Sequence, residues 1–174
     1  MNTANKLTIL RVILIPVFLI VLYWGFPLAN WVALAIFIIA SLTDFADGYI
    51  ARHYNQVTDF GKFMDPLADK MLTMAAMCWF VQNGEMWGWV LALVLLREFA
   101  VSGMRLVAVE QGRVIAAAWS GKIKTAATMV CLILMMLVNN NVLNIVSTVI
   151  IVATTVYSGV EYFYVNRAVF KEAD

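Results

Sequence analysis

The chain has 174 residues, 63% hydrophobic and 13% charged, with a net charge of +1 and a mean hydropathy of +0.85. Soluble domains run near 45–50% apolar and about 25% charged. This composition therefore excludes a disordered chain, a basic nucleic-acid binder and an ordinary soluble domain. At about 20 residues per crossing, it predicts an all-α, polytopic membrane protein with six transmembrane helices. Residues 1–174 then form a single six-helix membrane domain.

The first apolar run, Leu7–Trp24, follows Lys6 and contains Arg11. It has the look of a signal peptide. No small-residue cleavage site follows, and further hydrophobic segments do, so it is read as a retained first helix. The later runs are Trp31–Thr43, Pro66–Val81, Trp87–Val109, Thr125–Val138 and Val142–Tyr164. Turn-like stretches at 26–30, 82–85 and 139–141 separate them on one side. The runs are continuous, without period-two alternation, which predicts helices and not barrel strands. Cys78 and Cys131 lie inside apolar runs and are read as small buried hydrophobes.

The cations set the orientation. Lys6 and Arg11 open helix 1; Arg52, His53, Lys62 and Lys70 cluster between helices 2 and 3. Arg113, Lys122 and Lys124 lie between helices 4 and 5, and Arg167 and Lys171 follow helix 6. The three alternate connections carry no Lys or Arg, and their sole charge is Glu85. By the positive-inside rule both termini are cytoplasmic. Trp24, Trp31, Trp79, Trp87 and Trp89 flank these cation-free connections, as an interfacial belt does.

Four aspartates crowd the first basic connection: Asp44, Asp47, Asp65 and Asp69. If helix 2 continues past Thr43, then Asp44, Asp47, Gly48, Ala51 and Arg52 share one face. Gly61, Asp65 and Asp69 share a face of helix 3 in the same way. A charged Asp within a bilayer costs about 2.5–3.5 kcal/mol, and mutual repulsion adds to that. A lone aspartate here reads as a solvated cap, but four at these spacings do not. Two divalent cations would cancel the four charges. Oxygen donors without His or Cys suit magnesium or manganese, and paired metals are a known device for displacement at phosphorus. Gly48, Ala51 and Gly61 leave room for a bulky phosphorylated ligand.

The string D-x2-D-G-x2-A-R-x8-G-x3-D-x3-D, from Asp44 to Asp69, resembles the signature of the CDP-alcohol phosphatidyltransferase family without gap or substitution. The resemblance implies a six-helix membrane fold, a homodimer, and a site open to the cytoplasm and to lipid, in a bacterial inner membrane. It implies transfer of a phosphatidyl group from CDP-diacylglycerol to a small alcohol, with release of CMP. By the same resemblance Asp44, Asp47, Asp65 and Asp69 hold two metal ions, Mg2+ or Mn2+, and Asp69 is the general base. Gly48, Arg52 and Gly61 border the CDP group together with the metal-binding aspartates. The segment Asn5–Arg11 resembles the family's amino-terminal segment and brings Thr8 to the CDP group, although the proline often preceding that Asn is absent.

Helix 4 bears on the acceptor. Arg97 and Glu98 lie about ten residues from Trp87, roughly 15 Å into a ~30 Å core. Ionisable groups at that depth face a polar cavity or each other. One reading is an internal ion pair to Glu98. The other is a cationic pocket for an anionic acceptor, formed by Arg97, Arg105, Lys122 and Lys124, since Arg and Lys favour phosphate oxygens. The strings Arg97–Arg105 and Gly121–Thr125 resemble the phosphatidylglycerophosphate synthase branch, which implies glycerol 3-phosphate as acceptor. Three alternatives stand beside it: a sister enzyme using serine, inositol phosphate or another alcohol, a divalent-cation transporter, and a scaffold without chemistry. Charge alone does not separate inositol phosphate from glycerol 3-phosphate. Aspartates at the membrane edge and the lack of an internal repeat weigh against a transporter.

Overall fold

In the computed structural model the chain forms six helices: α1 Thr3–Trp24, α2 Ala29–His53, α3 Asp59–Gln82, α4 Gly88–Glu110, α5 Trp119–Leu137 and α6 Asn141–Val165. The structure describes residues 3–53, 59–113, 115–116, 118–138 and 140–167, without the side chains of residues 3–4, 44–53, 59–63, 65–66 and 69.

Each apolar run coincides with one helix. At the cation-free connections the run and the helix end within two residues of each other, because turn residues stop both. Gly84 (φ 72°) follows α3 in the left-handed region. Asn140 caps α6, its side chain accepting from Val142 N at 2.8 Å and Leu143 N at 3.3 Å. At the basic connections the helices overrun: α2 continues ten residues past Thr43, and α3 begins seven before Pro66. Helical hydrogen bonding does not need an apolar side chain, so a helix continues past the hydrophobic run until a breaker stops it. α4 ends in such a breaker. Gly112 (φ 72°) lets its own N–H reach Val109 O at 2.9 Å and Arg113 N reach Ala108 O at 2.8 Å, a Schellman closure.

α1, α5 and α6 are long and apolar enough to cross a membrane, and α2 has a shorter apolar stretch, Ala29–Thr43. The outward residues are greasy: Ile13, Ile20, Leu96, Phe99, Val149 and Val160 are all exposed. Inside, Thr128, Ser147, Thr148, Thr155 and Ser158 are buried. Small polar residues thus share the interior with apolar ones, while large apolar side chains cover the outside. This arrangement suits a chain whose solvent is lipid, where small polar residues pack helices and satisfy themselves on the preceding turn. Thr128 donates to Lys124 O at 2.8 Å and Thr148 to Asn144 O at 2.7 Å.

The helices form two compact units. In the first, α1 packs on α2 and α3, and α2 touches α3. Buried Ala33, Ala40, Ala68 and Ala76 occur along α2 and α3, and Phe18 meets Phe37 with ring centroids 5.9 Å apart. In the second, α4 packs on α6 around Val101, Met104, Ala108 and Tyr162. Cys131 is buried as expected, but Cys78 is exposed on α3.

Candidate active site

The first unit holds the carboxylates. α2 is unbroken through Asp44, Asp47, Gly48 and Arg52, and α3 through Gly61, Asp65 and Asp69. The condition set by the sequence, that helix 2 continue past Thr43, is therefore met. Helix register puts Asp44, Asp47 and Gly48 on one face of α2, and Gly61, Asp65 and Asp69 on one face of α3. The side chains at these positions, and that of Arg52, lie outside the described residues. Only residues 54–58 join α2 to α3, and a link of five residues spans at most roughly 20 Å.

Four carboxylates on two joined helices, with no nitrogen or sulfur donor among them, fit a hard divalent cation. Among the described residues no group of three His, Cys, Asp or Glu comes together.

α1 approaches the same part of α2. Thr8 is 1% exposed and Arg11 fully buried. Arg11 Nε donates to Ala40 O at 3.3 Å, and Thr43 Oγ1 donates to the same carbonyl at 2.7 Å. Ala40 lies one turn ahead of Asp44, so Arg11 ties α1 to the turn of α2 that leads into the carboxylate face. In the sequence Arg11 counts among the cations that set the orientation and closes the family-like segment Asn5–Arg11. An anchoring arginine keeps its head in water or headgroups, and this one is enclosed. Its place as the fifth residue of the apolar run Leu7–Trp24 was the available signal.

The second unit holds the cations. Glu98 is buried on α4, and its Oε1 accepts from Arg97 Nη1 at 2.9 Å and from Lys124 Nζ at 2.6 Å. Lys124 is 5% exposed. Arg97 runs between two glycines. A Cβ on Gly121 of α5 would stand 3.3 Å from its Nη2, and one on Gly159 of α6 would stand 3.4 Å from its Cγ. The Arg97 Nε and Ser120 Oγ are buried without a hydrogen-bond partner. Two cations against one carboxylate leave this cluster with one net positive charge and an unused donor.

The other two predicted cations are placed differently. Arg105 Nε donates to Tyr162 Oη at 2.9 Å, with the guanidinium over the ring at 5.6 Å. Lys122 is exposed and lies over Trp119, 4.9 Å from the ring centroid. It stands about 200° around α5 from Lys124. The structure thus brings Arg97 and Lys124 together through Glu98, pairs Arg105 with α6, and leaves Lys122 on an outer face. Neither Tyr162 nor Gly159 was recognisable as part of this site, because nothing in the sequence says which helix α4 packs against.

The sequence model of the CDP-alcohol phosphatidyltransferase family matches residues 1–158. A Bacillus subtilis (strain 168) protein named CDP-diacylglycerol–glycerol-3-phosphate 3-phosphatidyltransferase is 41% identical to this chain, with 99% of each covered. Relatives of the same name from Salmonella paratyphi A and Escherichia coli K12 are 43% and 41% identical over 75% of this chain and 74% of theirs.

Proposed function

Because the chain belongs to the CDP-alcohol phosphatidyltransferase family, we infer that it transfers the phosphatidyl group of CDP-diacylglycerol to glycerol 3-phosphate, giving phosphatidylglycerophosphate and CMP. The observation that carries this reading is the end-to-end match to a relative named for that reaction. The uninterrupted carboxylate motif on two successive helices supports it.

In the reaction the acceptor hydroxyl oxygen forms a bond to the phosphorus bearing diacylglycerol, and the bond from that phosphorus to the CMP oxygen breaks. The hydroxyl proton passes to the Asp69 carboxylate, the general base of this reading. Asp44, Asp47, Asp65 and Asp69 would hold two divalent cations, Mg2+ or Mn2+; the family is generally divalent-metal dependent. When bound, the cations supply positive charge to the diphosphate oxygens as CMP departs. Thr8, Gly48, Arg52 and Gly61 border the CDP group.

Of the four cations expected to take the acceptor phosphate, Arg97, Lys124 and Arg105 keep that role, whereas Lys122 faces outward over Trp119, away from Lys124. The net positive charge around Glu98 and the unused Arg97 Nε support this role for Arg97 and Lys124 most directly. Glu98 holds the two cations side by side before any anion arrives, so the cost of gathering like charges is met in folding and not in binding.

In this reading the chain is a single domain over residues 1–174 that crosses the bacterial inner membrane six times and works as a homodimer. Both termini and the carboxylate faces are cytoplasmic. The supporting observation is the absence of Lys and Arg from three alternate connections.

The test is CMP release from CDP-diacylglycerol by the purified protein in mixed micelles with Mg2+. Release that requires glycerol 3-phosphate is the expected result. Release that follows inositol phosphate or serine instead would reassign the acceptor. No release with any alcohol would overturn the transferase reading.

A further inference from the structure

A groove of about 640 Å³ runs between α4 and α6 in the second unit. Its volume lies in the range of specific small-molecule sites; Arg97, whose guanidinium turns to Glu98, is the one residue with a role in the proposed reaction among those that line it. Leu96 of α4 and Val160 and Phe163 of α6 line it and stand exposed, while Ala100 and Gly159 are the small residues that make it concave. Thr155 lines its inner end and is 1% exposed. Arg167 lines the other end, its guanidinium 5.0 Å from the Tyr164 ring centroid. From Thr155 to Arg167 is twelve residues, roughly 18 Å along a helix axis. That is a little over half of a ~30 Å hydrocarbon core, the depth of one leaflet. The groove therefore has an apolar body one leaflet long and a cation at its polar edge.

We propose that this α4–α6 groove binds one anionic phospholipid of the surrounding leaflet, with the headgroup phosphate on Arg167 and an acyl chain along Leu96, Val160 and Phe163 towards Thr155. Charge complementarity and length select this occupant. A zwitterionic lipid fills the same body but gains less from the cation. The proposal rests on the chain lying in a membrane and not on the identity of its acceptor.

The test uses the full chain in nanodiscs containing equal dioleoyl phosphatidylglycerol and dioleoyl phosphatidylcholine, with retained lipid read by native mass spectrometry. One phosphatidylglycerol per chain is expected, preferred roughly fivefold, the equivalent of ~1 kcal/mol for a cation at the membrane surface. Arg167→Glu should abolish the preference and Arg167→Lys should keep it. Ala100→Trp, which fills the groove, should remove the retained lipid. Saturating CDP-diacylglycerol should leave it in place. An unchanged preference in Arg167→Glu, or displacement by CDP-diacylglycerol, would overturn the proposal. So would disulfide cross-linking of two copies through Val160→Cys in a Cys78→Ala, Cys131→Ala background, because a second copy would then cover the groove.

Discussion

Lys124 of α5 donates to Glu98 of α4 at 2.6 Å in a buried part of the second unit. The same carboxylate oxygen takes Arg97 at 2.9 Å. One carboxylate therefore allows two cations to be buried as neighbours. Removing one partner of a buried ion pair costs about 3–5 kcal/mol, because a charge is left without compensation. Glu98→Gln should lower the thermal unfolding midpoint in nanodiscs accordingly. Adding Lys124→Met should recover part of the loss. Strictly additive losses in the double variant would mean that the two residues do not act as a pair.

Donor and acceptor variants should fail in different ways. Asp69→Asn keeps the size of the side chain but removes the proton acceptor and a metal charge. It should abolish turnover while CDP-diacylglycerol still binds. Arg105→Ala or Lys124→Ala removes a charge-assisted bond worth about 1.5–3 kcal/mol, so the KM for glycerol 3-phosphate should rise roughly 10- to 100-fold. CDP-diacylglycerol affinity should stay within about twofold. If the acceptor KM is untouched and lipid-nucleotide binding falls, the cations serve the other substrate.

Chelation should inactivate the protein, and magnesium or manganese should restore it. The four-carboxylate set motivates this: without divalent charge, the aspartates repel one another and the diphosphate. Full activity in thoroughly metal-stripped protein refutes the metal assignment.

Topology is tested by single cysteines at Glu85 and Asn140 in the Cys78→Ala, Cys131→Ala background. Both connections lack cations, so a membrane-impermeant thiol reagent should label them from the outer side of intact spheroplasts. Labelling only after the cytoplasmic side is opened would invert the assignment.

The groundwork for these predictions was unevenly visible in the chain itself. Helix ends at the cation-free connections were legible to within two residues, since hydrophobic run and helix stop at the same Gly and Asn turns. The basic ends were not: the ten residues of α2 after Thr43 are polar enough to read as loop, yet they continue the helix that carries Asp44 and Asp47. Cys78 looked as buried as Cys131, because an apolar run does not tell a face turned to lipid from one turned to protein.

By itself the sequence determined the class of the protein, the number of its helices and the carboxylate motif, because each depends on composition or on spacing within one helix. Tertiary structure decided what faces what. Glu98, Ser102 and Arg105 share a face of α4 by register alone, but Glu98 meets Lys124 of α5 while Arg105 meets Tyr162 of α6. Arg97 has room only because Gly121 and Gly159 stand on the two helices beside it. The enclosure of Arg11 likewise depends on how α1 lies against α2. Helical periodicity sets the direction in which a side chain leaves its own helix, and only the packing of other helices sets what it finds there.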